Sequence, residues 1–407
     1  MPDQGWQAAA CTVRLPTPTN GRLAGYAARV GQAGGTADQL EANLLLIKDS
    51  RAQLLWISID TVAIRSEFRA AIVVAVTAAA GIAAEQIVCV ASHTHSAPAG
   101  WVGSIHPGLP AELDESAIRS AADAIATAAA GLHPRPTTIA WAEGSVEGVG
   151  SNRHDPSGPT DQSIGILLVG PVDDPVALVY DYGCHPTVLG PDNLSWSADW
   201  VGAARGHLRR ELAADLPILF LQGCAGDQST RFLRRRQSID EVARLGGLVG
   251  AAVLAALPGI PIRGGGLGVA HRQLRLATRR PADSRTDRSR TVSGPDRLEA
   301  SRREGRHAQR AMINSGLPAE MILPLTLVSI GVRSWLHCSV EPYSLIGRQL
   351  REVVAGLRLI GYSDDYHGYL CDPSAADSNQ YEAMSSYFDR DGSEEFCQAC
   401  LDFARAH

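Results

Sequence analysis

Lysine is almost missing from this chain: Lys48 is the only one among 407 residues, and every other basic side chain of its type is arginine. We read this as a coding preference, although arginine's planar fork also suits bidentate contacts with anions. An excess of positive charge is missing too. Thirty-seven Lys and Arg against 43 Asp and Glu leave a net charge of −6, which argues against general binding to nucleic acid. No apolar run is long enough to span a bilayer; the longest, "AIVVAVTAAAGIAA", has the length of a helix inside a soluble protein. The opening "MPDQGWQAAACTVRLP" lacks the charged start and apolar core of a secretory signal. These absences predict a soluble, cytoplasmic chain with reduced thiols and no disulfides. Its eight cysteines (Cys11, Cys89, Cys184, Cys224, Cys338, Cys371, Cys397 and Cys400) lie largely in apolar surroundings, where a free thiol behaves as a small hydrophobe.

What is there is an α/β pattern. Runs of strand length recur, among them "LLWISID", "QIVCVAS", "TTIAWAEG", "IGILLVG", "VALVYDYG", "PILFLQG", "LPLTLVSIG" and "SWLHCSV". Alanine-rich stretches of helix length separate several of them, for example "SEFRAAIVVAVTAAAG" and "ADWVGAARGHLRRELAADL". The alternation predicts a mixed β-sheet core flanked by helices, in one domain over residues 1–407. The arginine-dense stretch 271–312 reads as a solvated insertion, part loop and part surface helix, that interrupts the domain without splitting it. "GGGLG" at 264–268 reads as a linker, and "FCQAC" at 396–400 as two cysteines of an amphipathic helix.

Residues able to do chemistry gather where strands end. "CVASHTHSAP" ends one strand with His93 and His95, and "LVYDYGCHPT" another with His185. "LFLQGCAGDQST" ends a third with Asp227 and Ser229, and "WLHCSVEPYS" a fourth with Glu341. In α/β sheets the crevice beyond the carboxyl ends of the strands is where ligands bind. Any one of these pieces alone fits a hydrogen-bonding turn or a helix-opening acid as well as a site. Four together point to a site.

The ordered series "SHTHS", "NR", "HPT", "GD-x-S", a glutamate opening a helix, "GYL" and "YE" resembles the neutral ceramidase family, from about Tyr26 to Tyr381. Those enzymes are zinc amidases that cleave the N-acyl bond of ceramide. The resemblance implies a Zn2+ ligand set of His93, His185, Glu341 and Tyr369. It further implies His95 as catalytic histidine, Arg153 and Tyr381 as active-site groups, and Ser229 as an essential serine beside Asp227. Two imidazoles and a carboxylate would leave zinc Lewis-acidic enough to activate water near neutral pH. His95 could then pass a proton to the leaving amine. No histidine adjoins Ser229 in sequence, so substrate binding ranks above a nucleophilic role.

Departures from the family pattern bear on the substrate. "GDQSTR" stands for "GDVSPN", "NRHDP" for "NRSP" and "SAPAG" for "SGPGG". With neither a secretory signal nor the family's C-terminal immunoglobulin-like domain, the expected substrate is a small soluble amide. The alternatives are a metal-dependent esterase or peptidase on the same site, or an idle metal-binding relative. The presence of His95, Arg153 and Tyr381 argues against the idle form.

Overall fold

The computed structural model describes residues 5–213, 215–262, 266–279 and 296–407, with side chains from 302 onward in the last stretch. Three sheets make up the core. The first runs Ile87–Ala91, Gln53–Ile59, Glu41–Lys48, Gln7–Arg14 and Arg135–Pro136 in spatial order. The second runs Ile218–Gln222, Ala177–Tyr182, Ser163–Val169, Ile139–Ser145 and Ile260–Pro261. The third runs Leu267–Ala277, Glu320–Ile330, Arg333–Cys338 and Leu357–Ile360.

Each sheet is antiparallel except for one parallel pair at its edge. Gln53–Ile59 pairs with Ile87–Ala91, Ala177–Tyr182 with Ile218–Gln222, and Arg333–Cys338 with Leu357–Ile360. Parallel neighbours need a crossover, and a helix supplies it each time. Helix α1 (Ser66–Ala80) joins the first pair; α2 (Glu115–Ala130) packs beside it. Helix α3 (Trp200–Glu211) joins the second pair and packs on α4 (Ile239–Ala256). After α5 (Asp296–Ser315), α6 (Ser344–Val353) joins the third. The fold is thus organised around three β-α-β units, whose parallel strands all end toward one region.

Apolar patterning explains the layering. Strand residues of one parity pack under the helices: Leu44, Leu55 and Ile57 against α1 and α2, and Leu178, Tyr180 and Phe220 against α3 and α4. The other parity meets between the sheets, where Trp56, Trp141 and Trp335 stack edge to face at 5.4 and 5.3 Å among Leu219, Val179 and Val88. Strands buried on both faces read as continuous apolar runs, which is why these segments showed no alternation in sequence.

A buried ionic network locks α3 to the first sheet. Arg205, 1% exposed, pairs with Asp60 through two nitrogens and with Glu41 at 3.3 Å, and Arg209 pairs with Glu41 at 2.8 Å. The remaining helices, α7 (Pro373–Asp377), α8 (Tyr381–Ser385) and α9 (Gly392–Arg405), close the third sheet. Cys400 is buried on α9 and Cys397 half-buried, as the amphipathic reading expects, and all eight cysteines are free.

The arginine-dense stretch departs from its expected role. His271–Ala277 belongs to the eleven-residue strand Leu267–Ala277, in register with Glu320–Ile330, so this part is sheet and not a solvated loop. Residues 280–295 lie outside the described residues, as do 264 and 265 of the glycine-rich linker; Gly268 is within the strand. Helix α5 packs on α8, with Ala308 and Met312 buried. A Cβ on Gly305 would lie 3.3 Å from Tyr381 Cα, so this helix roofs the segment that carries Tyr381. Composition hid that contact because only a small apolar stripe interrupts the arginines.

Candidate metal centre

The site stands where the three parallel pairs end. His93 follows Ile87–Ala91 in a left-handed backbone conformation, φ 67°, which is costly for a residue with a Cβ. Its N–H donates to Thr61 O at 2.9 Å, and its ring Nδ1 to Val62 O at 2.5 Å, so two bonds to one loop hold the turn. His185 follows Ala177–Tyr182, with Nδ1 directed at Ala225 O (2.7 Å) and Gln228 O (3.1 Å). Glu341 follows Arg333–Cys338 in a short bridge whose register pairs it with Tyr369.

Carbonyl oxygens only accept, so Nδ1 must carry the proton in both His93 and His185, and each Nε2 presents a lone pair. Those two lone pairs lie 3.4 Å from the same Glu341 oxygen, Oε2. His185 Nε2 is buried without a hydrogen-bond partner. His93, His95 and His185 bring their ring nitrogens within 4.8 Å of one another. Burial, together with the neighbouring His185, pulls His93 down to about 4, although Glu341 opposes this. Burial raises the Glu341 carboxyl, and the hydrogen bond donated by Tyr366 opposes this. A carboxylate facing two neutral lone pairs is a set of three acceptors with no donor among them. Such an arrangement fits a cation, and imidazole plus carboxylate fits zinc chemistry.

Sequence reasoning passed over two residues that orient this set. Tyr366 donates to Glu341 Oε1 in a short hydrogen bond, and Tyr362 donates to Oε2 at 3.3 Å. "GYSDDYHGYL" contains three tyrosines, of which only Tyr369 matched the family pattern. Tyr369 lies beside Glu341 and against Arg153, its ring 6.2 Å from that of Tyr381. Burial raises the phenols of Tyr362, Tyr366 and Tyr369 well above their ordinary value, and burial pushes Tyr381 up to about 12.

His95 points its Nε2 at His93 Nε2, 3.3 Å away, and leaves Nδ1 buried without a partner. Burial and the two neighbouring imidazoles push it well below its ordinary value. Tyr26 packs edge-on against it at 4.8 Å, and Arg29 donates to its carbonyl at 2.6 Å. The backbone beside it has room for no side chain: Gly25, φ 94°, would place a Cβ 2.4 Å from His95 Cγ. A cavity of about 250 Å3, lined by Leu23, Tyr26, Ile105 and Leu109, opens along this wall.

Arg153 forms an ion pair with Glu382 at 3.1 Å, and His154 meets the same carboxylate at 2.7 Å. Burial would raise the Glu382 carboxyl, but Arg153 and His154 hold it well below the ordinary range. Neither Glu382 nor His154 was singled out as functional, though both stood inside quoted motifs. Asp227 turns away from the imidazoles: Oδ1 accepts Ser344 N–H at 2.7 Å, and Oδ2 accepts Ser344 Oγ (2.8 Å) and Asn152 Nδ2 (3.1 Å). Ser229 is buried one backbone bridge from His185, with Oγ accepting Arg231 N–H at 3.3 Å. Among the described residues no imidazole bonds to Ser229 Oγ.

Superposition on solved structures gives the architecture a name. The chain has the fold of the neutral ceramidases. Neutral ceramidase from Pseudomonas aeruginosa superposes with a TM-score of 0.81 at 16% identity, covering 99% of this chain and 74% of that one. A ceramidase complexed with C2 gives a TM-score of 0.78 at 16% identity, covering 99% of this chain and 75% of that one. No model of a known protein family and no curated protein matches the sequence. At this identity the ceramidase likeness is one of fold. Among the described residues no helix is long and apolar enough to cross a membrane.

Proposed function

We propose that the chain is a zinc-dependent amidohydrolase that cleaves the N-acyl bond of a small amide. The observation that carries this reading is the convergence of His93 Nε2, His185 Nε2 and Glu341 Oε2, three acceptors facing one point. His93, His185 and Glu341 would hold the ion, with Tyr369 as the fourth group. Zinc bound there supplies Lewis acidity toward an amide carbonyl and lowers the pKa of the attacking water.

The remaining chemistry belongs to the chain's own side chains. His95, kept neutral by burial, accepts a proton at its ring and hands it to the departing amine. Arg153, held by Glu382, and Tyr381, with its proton retained to about 12, offer donors to charge developing on the carbonyl oxygen. Tyr362 and Tyr366 fix the Glu341 carboxylate, as partners one layer out from a metal ligand do. Ser229 contacts substrate, since no base stands ready to activate it. Asp227, with both oxygens taken up by Ser344 and Asn152, is a positioning residue that ties the "GDQS" loop to α6. Eight free thiols fit a reducing compartment such as the cytoplasm.

Elemental analysis of the purified protein, followed by hydrolysis assays on short N-acyl amines, matched esters and dipeptides, tests the proposal. One zinc per chain and turnover of the amides are expected. Absence of metal after zinc loading, or turnover of esters alone, overturns it.

A further inference from the structure

Arginines ring the His95 side of the site. Arg29 bonds the His95 carbonyl and lies over the Tyr26 ring at 4.9 Å; Arg153 pairs with Glu382 at 3.1 Å. Arg231 donates from Nη1 to Arg153 O at 3.1 Å, and Arg234 donates to Thr187 O in the loop that carries His185. Only Arg153 has a carboxylate partner. Arg29 is spent on the carbonyls of Ala24, His95, Gly190 and Pro191, and among the described residues neither Arg231 nor Arg234 pairs with an acid. Arg231 is exposed, and among the described residues its guanidinium meets only that single carbonyl, leaving most of its five N–H donors free.

Arg231 in "GDQSTR" bonds the Arg153 carbonyl, and His154, next to Arg153 in the chain, meets the same Glu382 carboxylate that Arg153 does. Glu382 is already shared by Arg153 and His154. An uncompensated cationic rim on a protein of net charge −6 attracts anions locally, and a guanidinium fork recognises carboxylate or phosphate with two parallel bonds.

We propose that the substrate carries an anionic group, carboxylate or phosphate, next to the amide, and that Arg231 binds it at the mouth of the site, as it would in an N-acyl amino acid. This rests on the amidohydrolase reading and specifies its substrate class. Arg234 adds to the local field without touching the anion.

The test compares a short N-acyl amino acid, the corresponding neutral N-acyl amino alcohol, and the phosphate ester of that alcohol. In the zinc-loaded wild type, kcat/KM for an anionic compound should exceed that for the neutral one about tenfold or more, the worth of one charged hydrogen bond. The gap should narrow as salt rises. Arg231→Gln should bring the ratio close to one, mainly through KM, and Arg231→Lys should restore part of it. Arg236→Gln, an exposed neighbour in the same segment, should leave the ratio as in the wild type. The anion with the larger gain identifies the group. Binding of the same compounds to His95→Ala, read by calorimetry with and without Arg231→Gln, separates this inference from the hydrolase reading. Arg231-dependent binding with no turnover of any amide removes the hydrolase reading and keeps the anion site. Turnover of amides with a ratio near one in the wild type, or a ratio untouched by Arg231→Gln, overturns the anion site and keeps the hydrolase.

Discussion

His93 and His95 lie two places apart yet meet the site differently. The left-handed turn at His93 aims its ring at Glu341, while His95 reaches back to contact His93 ring to ring. If His93 is a ligand and His95 a proton carrier, His95→Ala should retain zinc and lose turnover by about 100-fold or more. His93→Ala should lose metal and turnover together. Metal content and turnover measured on the same two proteins decide the assignment; an empty site in His95→Ala with zinc kept in His93→Ala reverses the roles. A second prediction concerns Tyr366, whose hydroxyl donates to Glu341 Oε1. Tyr366→Phe removes that bond while keeping the ring, so zinc affinity should fall about 10- to 100-fold with little change in fold. Competition with a chelator of known affinity measures it. An unchanged affinity would mean that Tyr362 and the two imidazoles suffice to orient the carboxylate.

At the scale of elements, His93, His185 and Glu341 each follow a strand of a parallel pair, and each pair depends on its crossover helix. Helix α3 is held to the first sheet by Arg205 and Arg209 on Glu41 and Asp60, so this network sets the second sheet's His185 against the first sheet's His93. Burial would raise Glu41, but Arg205 and Arg209 overcome it and hold the group at about 2, below the ordinary 4.5. A depressed carboxylate contributes stability that is complete above about pH 4.5 and lost as pH falls toward about 2. Glu41→Gln should therefore destabilise the protein by several kcal/mol at pH 7, on the order of 3 for a broken buried pair. That deficit should shrink as pH drops through this window. Denaturant unfolding of both proteins at pH 7 and pH 3 checks the sign; a gap that widens in acid contradicts it.

Considered as a whole molecule, the site joins all three sheets: His93 comes from the first, His185 from the second and Glu341 from the third. An ion bound by all three would stabilise only the assembled state. Zinc at 100 times its Kd should add about 2.7 kcal/mol, and chelation should lower the Tm by several degrees, reversibly on adding zinc back. Calorimetric scans of stripped and reloaded protein measure it. A Tm indifferent to metal would argue that the three loops are pre-assembled by their backbone bonds alone, such as Gly226 N to Pro342 O and Glu341 N to Gly368 O.

By itself the sequence determined the strands, the crossover helices and the identity of the residues at the strand ends. These are local properties: apolar runs of strand length, alanine-rich helical stretches, and polar residues placed just beyond them. It also carried His93, His95, His185 and Glu341 as a recognisable ordered set. Only the tertiary structure decided which side chains orient that set, because the Tyr366 and Tyr362 bonds to Glu341 depend on how the segment after Leu357–Ile360 folds back. It likewise decided that Asp227 braces α6, and that Arg231 stands with Arg153 and His154 on one wall, although 78 residues separate Arg231 from Arg153. Hydrogen bonds and charge pairs act over a few ångströms in space, and a linear chain shows only which groups are available to make them.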